Sequence, residues 1–462
     1  MDETTLNTQM DMEEQTTSVP KSLNYSDVVQ AGSPSGEYTV VTNLPNNGGN
    51  FKAGQTINIA VNVPVNSFAD LKRAYLKYTI KNTDTSEACF LDKSVGGVAC
   101  FDAVKVLSPT GGPLSDIQHY NALCSLINDY TMASHADSVL NIREGSCKTP
   151  LTTVPLAAAY TKPGSGTPDT LDTSGRVKLA AGGSESFVHK LHGGLFNADR
   201  LIPLGFINGQ LQIQIQLAQN GAGVLAYKTK TNVWEISGVE LHIPVVKTGE
   251  EFNQNLRQLM GSGVNLNIHM KDWVNQQATI SAGSESNVDV LLANRKRSVD
   301  AAFVCLRKSS DVNDIEVEGV CGRKSCGISG YQFSVAGIDM PSKQIVSGAT
   351  DFGEVIANTE LAFNRLGSEL SGALVNRDNY RPANDRTSSC PIAYCLDMET
   401  YKDKISGKNL SSAMPLIFKS VLGSGDTNQA GSGGAAVLLD CFTKFDSMLT
   451  LSGLTGSLTI SN

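Results

Sequence analysis

Strict alternation of apolar and polar residues is the feature that most constrains how this chain can fold. Leu211, Ile213, Ile215 and Leu217 are interleaved with three glutamines. This period of two predicts a β-strand with one buried face, and an uncharged glutamine row suits a face that meets another protein surface as well as water. Similar strand patterns occur at residues 57–63, 74–80, 234–245, 288–292, 299–306, 315–317, 331–335, 449–451 and 458–460. We therefore predict an all-β protein with few helices.

One of these strands carries two interruptions. The apolar alternation that begins at Trp234 slips by one residue at Gly238 and then resumes, which predicts a glycine bulge. Pro244 lies near the end of the same strand. Since proline cannot donate a ladder hydrogen bond, its position predicts a sheet edge.

Two segments have helical periodicity. Ser115 and Gln118 have the spacing of a capping box, which predicts a helix that starts after them. Its apolar face would comprise Tyr120, Leu123, Ile127 and Tyr130. A second helix is predicted within residues 359–374, although two glycines weaken it. Its apolar stripe would comprise Phe363, Leu366 and Leu370.

A faint internal repeat relates the two halves of the chain. FDAVKVLSPTGGPLSDI and YQFSVAGIDMPSKQI each combine a strand, a proline-containing turn and an isoleucine, and Ile117 and Ile345 are 228 residues apart. This spacing predicts two similar β domains in tandem, with the junction near residues 246–251. We expect a polar, acidic N-terminal arm over residues 1–35, a first domain over 36–248 and a second domain over 249–462.

Composition excludes several classes of protein. The formal net charge is −8, from 37 basic and 45 acidic residues, which argues against a polycation that condenses nucleic acid directly. No apolar stretch has the length of a membrane span, and the acidic N-terminus is unlike a signal peptide. The 10 cysteines are too dilute for a disulfide scaffold, so we expect reduced thiols that act as small core residues.

The sequence predicts no catalytic, cofactor-binding or metal-binding residues, and hence no enzyme. His189 and His192 lack the glutamate spacing of a zinc hydrolase, so surface or loop histidines are the expectation. A hydrolase would need these two side chains to cluster with carboxylates. Four cysteines form two C-x4-C pairs that do not match zinc or redox spacing: Cys321 with Cys326 and Cys390 with Cys395.

The remaining candidates have structural explanations. The glycine pairs at 111–112 and 193–194 lack the flanking residues of phosphate-binding loops and are predicted turns. The basic run at 295–297 is predicted to be a solvated loop and not a nucleic-acid groove. Trp234 and Trp273 could stack on sugars, but core packing is the favoured interpretation for Trp234, which lies in an apolar row.

Several segments resemble double jelly-roll major capsid proteins, particularly those of polinton-like viruses and virophage-like double-stranded DNA viruses. These segments are GGNFKAGQTINIAVNVPVNSFADLKRAYLKYTIK, FDAVKVLSPTGGPLSDIQHYNALCSLINDYT, LIPLGFINGQLQIQIQLA and LLDCFTKFDSMLTLSGLTGSLTIS. The matching residues include Asp70, Leu71, Tyr75, Leu76, Tyr120, Asn121, Leu123, Ile127, Asp129, Phe442, Asp446 and Leu449.

The resemblance implies two tandem eight-stranded jelly-roll β-sandwiches with short helices in their loops. It also implies a structural subunit that forms pseudo-hexagonal homotrimeric capsomers, which tile an icosahedral shell in the virion. The implied partners are neighbouring capsomers and minor capsid and penton proteins, without direct nucleic-acid contact; an internal membrane is left open. The alternative is a β-sandwich cell-surface or carbohydrate-binding protein.

Overall fold

The computed structural model describes most of the chain from Gly36 onwards. The described residues are 36–86, 88–92, 94–131, 137–146, 177–219, 224–225, 234–281, 287–310, 312, 320, 322–347, 351–366, 375, 380, 391–401, 405–411, 415–422 and 436–461. Among them, no helix combines the length and the apolar character that crossing a bilayer requires. The predicted strand at 315–317 and the predicted arm at 1–35 lie outside the described residues.

The described residues form 22 β-strands, of which 13 belong to the first half of the chain. The first-half strands are β1 (Gly36–Asn43), β2 (Asn50–Lys52), β3 (Thr56–Val61), β4 (Ser67–Ala69), β5 (Tyr75–Asn82), β6 (Cys89–Leu91), β7 (Phe101–Leu107), β8 (Pro113–Gln118), β9 (Lys178–Leu179), β10 (Ser184–His189), β11 (Leu211–Leu217), β12 (Val224–Leu225) and β13 (Trp234–Thr248). The second-half strands are β14 (Leu266–Ile280), β15 (Asn287–Leu292), β16 (Val299–Lys308), β17 (Ile328–Val335), β18 (Ile338–Val346), β19 (Tyr394–Asp397), β20 (Leu416–Leu422), β21 (Val437–Leu451) and β22 (Leu458–Ser461).

Helices are few and short within the described part of the chain. The α-helices are α1 (Tyr120–Thr131), α2 (Asp137–Glu144), α3 (Glu250–Gly261) and α4 (Gly353–Ala362). Single turns of 3-10 helix occur at Leu71–Arg73, Gly97–Cys100, Gly194–Asn197 and Leu204–Phe206. The prediction of an all-β protein with short helices between strands is confirmed.

The first half contains three antiparallel sheets, of which the two larger ones have the jelly-roll order and the third is a small sheet of β12, β6 and β9. Its principal eight strands in chain order are β1, β3, β5, β7, β8, β10, β11 and β13. One sheet has the order β1-β13-β5-β10 and the other has the order β3-β11-β7-β8. If the eight strands are lettered B to I, these sheets read BIDG and CHEF, which is the double Greek-key arrangement of a jelly roll.

The second half repeats this arrangement strand for strand. Its principal eight strands are β14 to β21, and its two sheets have the orders β14-β21-β16-β19 and β15-β20-β17-β18. With the same lettering these sheets again read BIDG and CHEF. The chain is therefore a double jelly roll, as predicted.

The internal repeat in the sequence corresponds to one hairpin in each roll. Ile117 lies on β8 and is paired with Val104 of β7, whereas Ile345 lies on β18 and is paired with Tyr331 of β17. Both hairpins join strands E and F of their rolls, and each precedes a helix, α1 or α4. The repeat therefore marks equivalent positions in the two rolls.

The long strand β13 confirms one prediction about its irregularities and corrects the other. Its register with β5 shifts between Ser237 and Glu240, and Gly238 has a positive φ of 58°, so the predicted bulge is present. Pro244, however, does not mark a sheet edge, because β13 lies between β1 and β5. On one side of β13, the neighbouring strand changes at this point from β5 to β4, and neither strand has a residue paired with Pro244. Proline is therefore tolerated there.

The predicted start of the first helix was wrong, although its apolar face was correct. Ser115 and Gln118 do not form a capping box but belong to β8, and α1 begins at Tyr120. His119 has a positive φ of 50°, which turns the chain sharply from strand to helix. The side chain of Ser115 is used elsewhere, in a contact with the second roll.

The second helix lies earlier in the chain than predicted. α4 ends at Ala362, and Asn364 then adopts a positive φ of 57°, a conformation that terminates helices. Phe363 therefore follows the helix, Leu366 is exposed, and Leu370 lies outside the described residues. The two glycines that weakened the prediction, at positions 367 and 372, lie outside the described residues.

Candidate functional site

The two jelly rolls meet in a set of contacts that we call the seam, which includes Ser115 with Asp272, Asp129 with Arg323, and Asp199 with His269. One of the two hydrophobic cores extends across it, since it includes residues of the first roll as well as Met270, Trp273 and Phe303 of the second. Trp273, Phe303 and Phe363 pack their rings together, with centroids 4.5–6.5 Å apart. These three rings belong to the second roll, and Phe363 also stacks on Tyr130 of the first roll with ring centroids 5.7 Å apart. Burial of such large rings stabilises the contact between the rolls.

Helix α1 is buried on nearly all sides. Its polar residues are buried together with its apolar face, so each requires a partner. Asn121 donates a hydrogen bond to the Ala99 carbonyl at 3.0 Å, and the hydroxyls of Ser125 and Ser94 lie 2.6 Å apart. The helix is thus part of the core of the first roll, and not a helix on its surface.

The C-terminal end of α1 contacts the second roll through three polar links. Asp129 forms a buried ion pair with Arg323. The Tyr130 hydroxyl donates to the Pro391 carbonyl at 2.7 Å, and its ring stacks on Phe363. Arg365 donates to the Thr131 carbonyl, also at 2.7 Å. A cation at this end of a helix also complements the helix dipole.

A buried carboxylate anchors the strands β8 and β14 to each other. The Ser115 hydroxyl donates to Asp272 Oδ1 at 2.9 Å, and the same carboxylate accepts from the backbone N–H groups of Trp273 and Gly194. Burial raises the pKa of Asp272 to about 6, because these hydrogen bonds only partly offset the loss of hydration. Ser115 was predicted to cap a helix, but its role is to join the rolls.

A histidine between two carboxylates forms a second polar link across the seam. His269 of β14 lies 2.7 Å from Asp199 of the first roll and 2.8 Å from Asp446 of the second. Ala198 and Met270 form an isolated antiparallel bridge beside it. Burial tends to lower the pKa of His269, but the hydrogen bonds to the two carboxylates outweigh it, and the pKa is raised.

Sequence reasoning found only part of this seam. Asp129 and Asp446 were noted through the family resemblance, whereas Asp272, His269 and Arg323 were missed. Their signal in the sequence is weak, because a charged residue beside apolar ones looks the same whether it faces solvent or a buried partner. What the seam can do is hold two sandwiches in one fixed orientation, since buried ion pairs and hydrogen bonds tolerate little displacement.

The two histidines of the first roll were predicted to be surface or loop residues, and for His189 this was wrong. His189 is 1% exposed and lies at the end of β10, while His192 is half-buried in the following turn. The ring of His189 is bonded at both nitrogens: Nδ1 lies 3.2 Å from Glu144, and Nε2 lies 2.9 Å from the Tyr120 hydroxyl.

The pKa values of the groups in this cluster are shifted in different directions, down for Glu144 and His192 and up for Tyr120. Burial would raise the pKa of Glu144, but hydrogen bonding and charge from His189, together with Arg143, hold it at about 2. Burial lowers the pKa of His192 to about 3, and it raises the pKa of Tyr120 well above its usual value. Tyr120 therefore keeps its proton. It donates to His189 and accepts the His192 backbone N–H at 2.8 Å.

The two histidines therefore do lie close to a carboxylate, as a hydrolase would need, but the hydrogen bonds of His189 join it to other core residues of the first roll. Glu144, His189 and Tyr120 are buried in the first roll and hydrogen-bonded to one another. The hydroxyl nearest to His189 is that of Tyr120, whose pKa is raised. General-base catalysis requires a histidine nitrogen within reach of a substrate proton. Here the two nitrogens are directed at Glu144 and Tyr120.

The remaining candidates lie in separate places. Cys326 and Cys395 are buried, as expected for core thiols, whereas Cys321 and Cys390 lie outside the described residues. Arg295 and Arg297 are exposed, and Lys296 between them lies over the Phe445 ring at 4.2 Å. The loop prediction is therefore confirmed for the two arginines.

The aromatic and glycine candidates also have structural roles. Trp234 is fully buried and Trp273 nearly so, which excludes both indoles from stacking on a sugar at the surface. Gly111, Gly193 and Gly194 have positive φ angles, as expected of turns.

Comparison with known proteins gives matches in structure but not in sequence. Neither a protein-family profile nor a curated protein sequence matches the chain. The PBCV-1 virus capsid superposes with a TM-score of 0.59 at 7% identity, covering 93% of this chain and 98% of that one. The Faustovirus major capsid protein gives 0.56 at 12% identity, covering 90% of each chain.

A virophage structure gives a third match. The Sputnik virophage structure has a TM-score of 0.52 at 10% identity, covering 92% of this chain and 88% of that one. These alignments extend through both halves of the chain, so the similarity includes the side-by-side pairing of the two sandwiches as well as each sandwich. The chain has the double jelly-roll fold found in these viral capsid structures.

Proposed function

We propose that this protein is a major capsid protein that forms the tiles of an icosahedral virion shell. The observation that carries the proposal is the exact repetition of the BIDG and CHEF strand orders in two rolls that a buried seam holds together. Two equivalent sandwiches in one chain give three copies a nearly six-fold outline. Such a homotrimer is a pseudo-hexagonal capsomer, and closed symmetric assembly needs rigid units of this kind.

The division of the chain into functional parts belongs to the same proposal. Strand β13 ends at Thr248 and α3 begins at Glu250. This change of element supports a first roll over residues 36–248 and a second roll over 249–462. We assign residues 1–35 to an acidic arm that contacts a neighbouring capsomer or a minor capsid or penton protein.

The outer face of β11 supports a role in subunit contacts. Gln212 and Gln216 are exposed, and Gln214 between them is registered with Asn58 of β3 and Lys105 of β7. Amide side chains can hydrogen-bond across an interface without the desolvation penalty of charges, and charged residues are depleted from interface centres. We assign this glutamine row to a contact between copies of the chain.

Electron microscopy of the purified full-length protein tests the proposal. We expect particles with a six-sided outline, and closed shells under conditions that favour assembly. Exclusively elongated single particles without such an outline would contradict it. A variant lacking residues 1–35 should still give six-sided particles but should form few shells; normal shells from that variant would overturn the role assigned to the arm.

A charge substitution tests the role of the glutamine row. Replacing Gln212 and Gln216 by lysine adds two like charges per face and should reduce association between copies while the fold is retained. The matched control is Lys52→Gln, which changes charge on the exposed short strand β2 of the other sheet. Unchanged association of the double variant would remove this face from the interface.

A further inference from the structure

A cluster of nitrogen and sulfur donors in the first roll has no part in the proposed assembly. Cys124 of α1, His189 of β10 and His192 of the following turn place one donor atom each within 4.8 Å of one another. Cys124 Sγ lies 4.0 Å from His189 Nε2, and the two imidazole rings have centroids 5.6 Å apart. The three residues come from separate segments that the fold brings together.

We propose that Cys124, His189 and His192 form a binding site for a divalent transition-metal ion, of which Zn²⁺ fits best. One thiolate and two imidazoles are a donor set of intermediate softness that suits Zn²⁺, and hard cations such as Mg²⁺ and Ca²⁺ prefer oxygen donors instead. Bonds of about 2.0–2.3 Å to zinc bring tetrahedral donors to roughly 3.5 Å from one another. Small side-chain rotations would close the remaining difference.

The surroundings of His189 have the form of an outer coordination shell. Glu144 Oε1 lies 3.2 Å from Nδ1, so Nε2 is on the opposite side of the ring, 2.9 Å from the Tyr120 hydroxyl and 4.0 Å from Cys124 Sγ. Carboxylates that accept a hydrogen bond from a metal-bound histidine fix its orientation in this way. The second oxygen of Glu144, Oε2, is buried and has no hydrogen-bond partner among the described residues. A carboxylate with one uncommitted oxygen can shift to meet a nearby cation.

The hydrogen bond from Tyr120 defines what the ion must replace. The Tyr120 hydroxyl donates to His189 Nε2 at 2.9 Å, so a metal ion bound to Nε2 would take over that lone pair. The thiol of Cys124 would release its proton on binding, because thiolate is the ligating form. The net change is one proton released and three coordinate bonds formed, with no oxidation or reduction.

The site would tie α1 to the strand and turn that flank it. Because α1 contacts the second roll at Asp129 and Tyr130, an ion at Cys124 would also stiffen the helix that supports the seam. Two of the three ligands, Cys124 and His189, are buried, so we expect the ion to be acquired during folding and to be retained through dialysis.

Metal analysis of the full-length protein tests this inference directly. After folding with Zn²⁺ and extensive dialysis, we expect about one zinc per chain and a melting temperature higher than that of the chelator-treated protein. Replacement by Co²⁺ should give the absorption bands of a tetrahedral site with a thiolate-to-cobalt charge-transfer band. No retained zinc, or bound cobalt without a thiolate band, would overturn the proposal.

Single substitutions distinguish the proposed ligands from other buried residues. Cys124→Ser should abolish the thiolate band, and His192→Ala, which changes a half-buried residue, should abolish zinc retention. Glu144→Gln should weaken binding about 10–100-fold, as expected of a residue that positions a ligand. Cys441→Ser is the matched control, because it alters an equally buried thiol of the second roll. Equal zinc retention in Cys124→Ser, His192→Ala and Cys441→Ser would contradict the assignment.

Discussion

The hydroxyl of Ser115 in the first jelly roll donates a 2.9 Å hydrogen bond to the buried carboxylate of Asp272 in the second. This bond joins β8 to β14, the last strand of one hairpin to the first strand of the next roll. It belongs to the group of polar links that include Asp129 with Arg323 and His269 with Asp199. These links fix the orientation of two sandwiches whose apolar contact alone would be less directional.

The raised pKa of Asp272 predicts a specific dependence of stability on pH. The pKa is near 4 in the unfolded chain and about 6 in the folded protein, so the folded state retains a proton between these values that the unfolded state loses. The contribution of Asp272 to the free energy of unfolding is fully present below about pH 4 and is lost as the pH rises through about 6. The predicted loss is about 3 kcal/mol.

Asp272→Asn tests this, because the amide retains an acceptor oxygen and does not titrate. The free energy of unfolding of wild type minus that of the variant should fall by about 3 kcal/mol between pH 4 and 7. Denaturant titrations at several pH values measure it. A constant difference would show that Asp272 does not titrate in this range.

Removing the buried ion pair at the end of α1 should strongly destabilise the protein. Asp129→Ala leaves the Arg323 guanidinium buried and facing no carboxylate from α1, and we expect a loss of about 3–5 kcal/mol. Asp116→Ala is the control, since its pair with Lys105 is more exposed and should contribute less than about 1 kcal/mol. Similar losses in both variants would contradict a special role for the seam pair.

Gly193 should not tolerate a side chain. A Cβ there would lie 2.2 Å from Ile117 Cδ1, and the backbone has a φ of +88°. Gly193→Ala should therefore lose about 1–2 kcal/mol through the backbone and a further ~1–3 kcal/mol through overpacking. Gly182 has a φ of +67° with no atom within 4 Å of its Cβ position, so Gly182→Ala isolates the backbone term. Equal melting temperatures of the two variants would refute the steric argument.

The raised pKa of His269 predicts that the seam weakens at alkaline pH. A histidine whose folded pKa exceeds 6.5 contributes stability that is present below that value and is lost as pH rises through the folded pKa. His269→Gln should remove this component, so that stability falls less between neutral and alkaline pH than in wild type. His119→Asn serves as the control, as His119 lies outside the seam. Parallel pH profiles for wild type and His269→Gln would exclude the effect.

Period-two alternation made the fold largely predictable from the sequence. The row from Leu211 to Leu217 and the slip at Gly238 each correspond to an observed strand feature, because burial of one sheet face imposes that pattern directly. The relation between Ile117 and Ile345 located equivalent hairpins for the same reason.

The seam and the histidine cluster were not predictable in this way. Ser115 had the local spacing of a helix cap, yet its partner, Asp272, is 157 residues away in the chain. His189 and Glu144 are likewise far apart in sequence, and no local period indicates that they meet. Polar pairing across the core depends on tertiary contacts, and those contacts leave no regular spacing to detect.

The mass of the purified protein in solution tests the proposed function most directly. Light scattering coupled to size-exclusion chromatography should give three times the 49.1 kDa chain mass, over a wide range of protein concentrations. A stable species of one chain mass at every concentration would contradict a capsomer built from three copies of this double jelly roll.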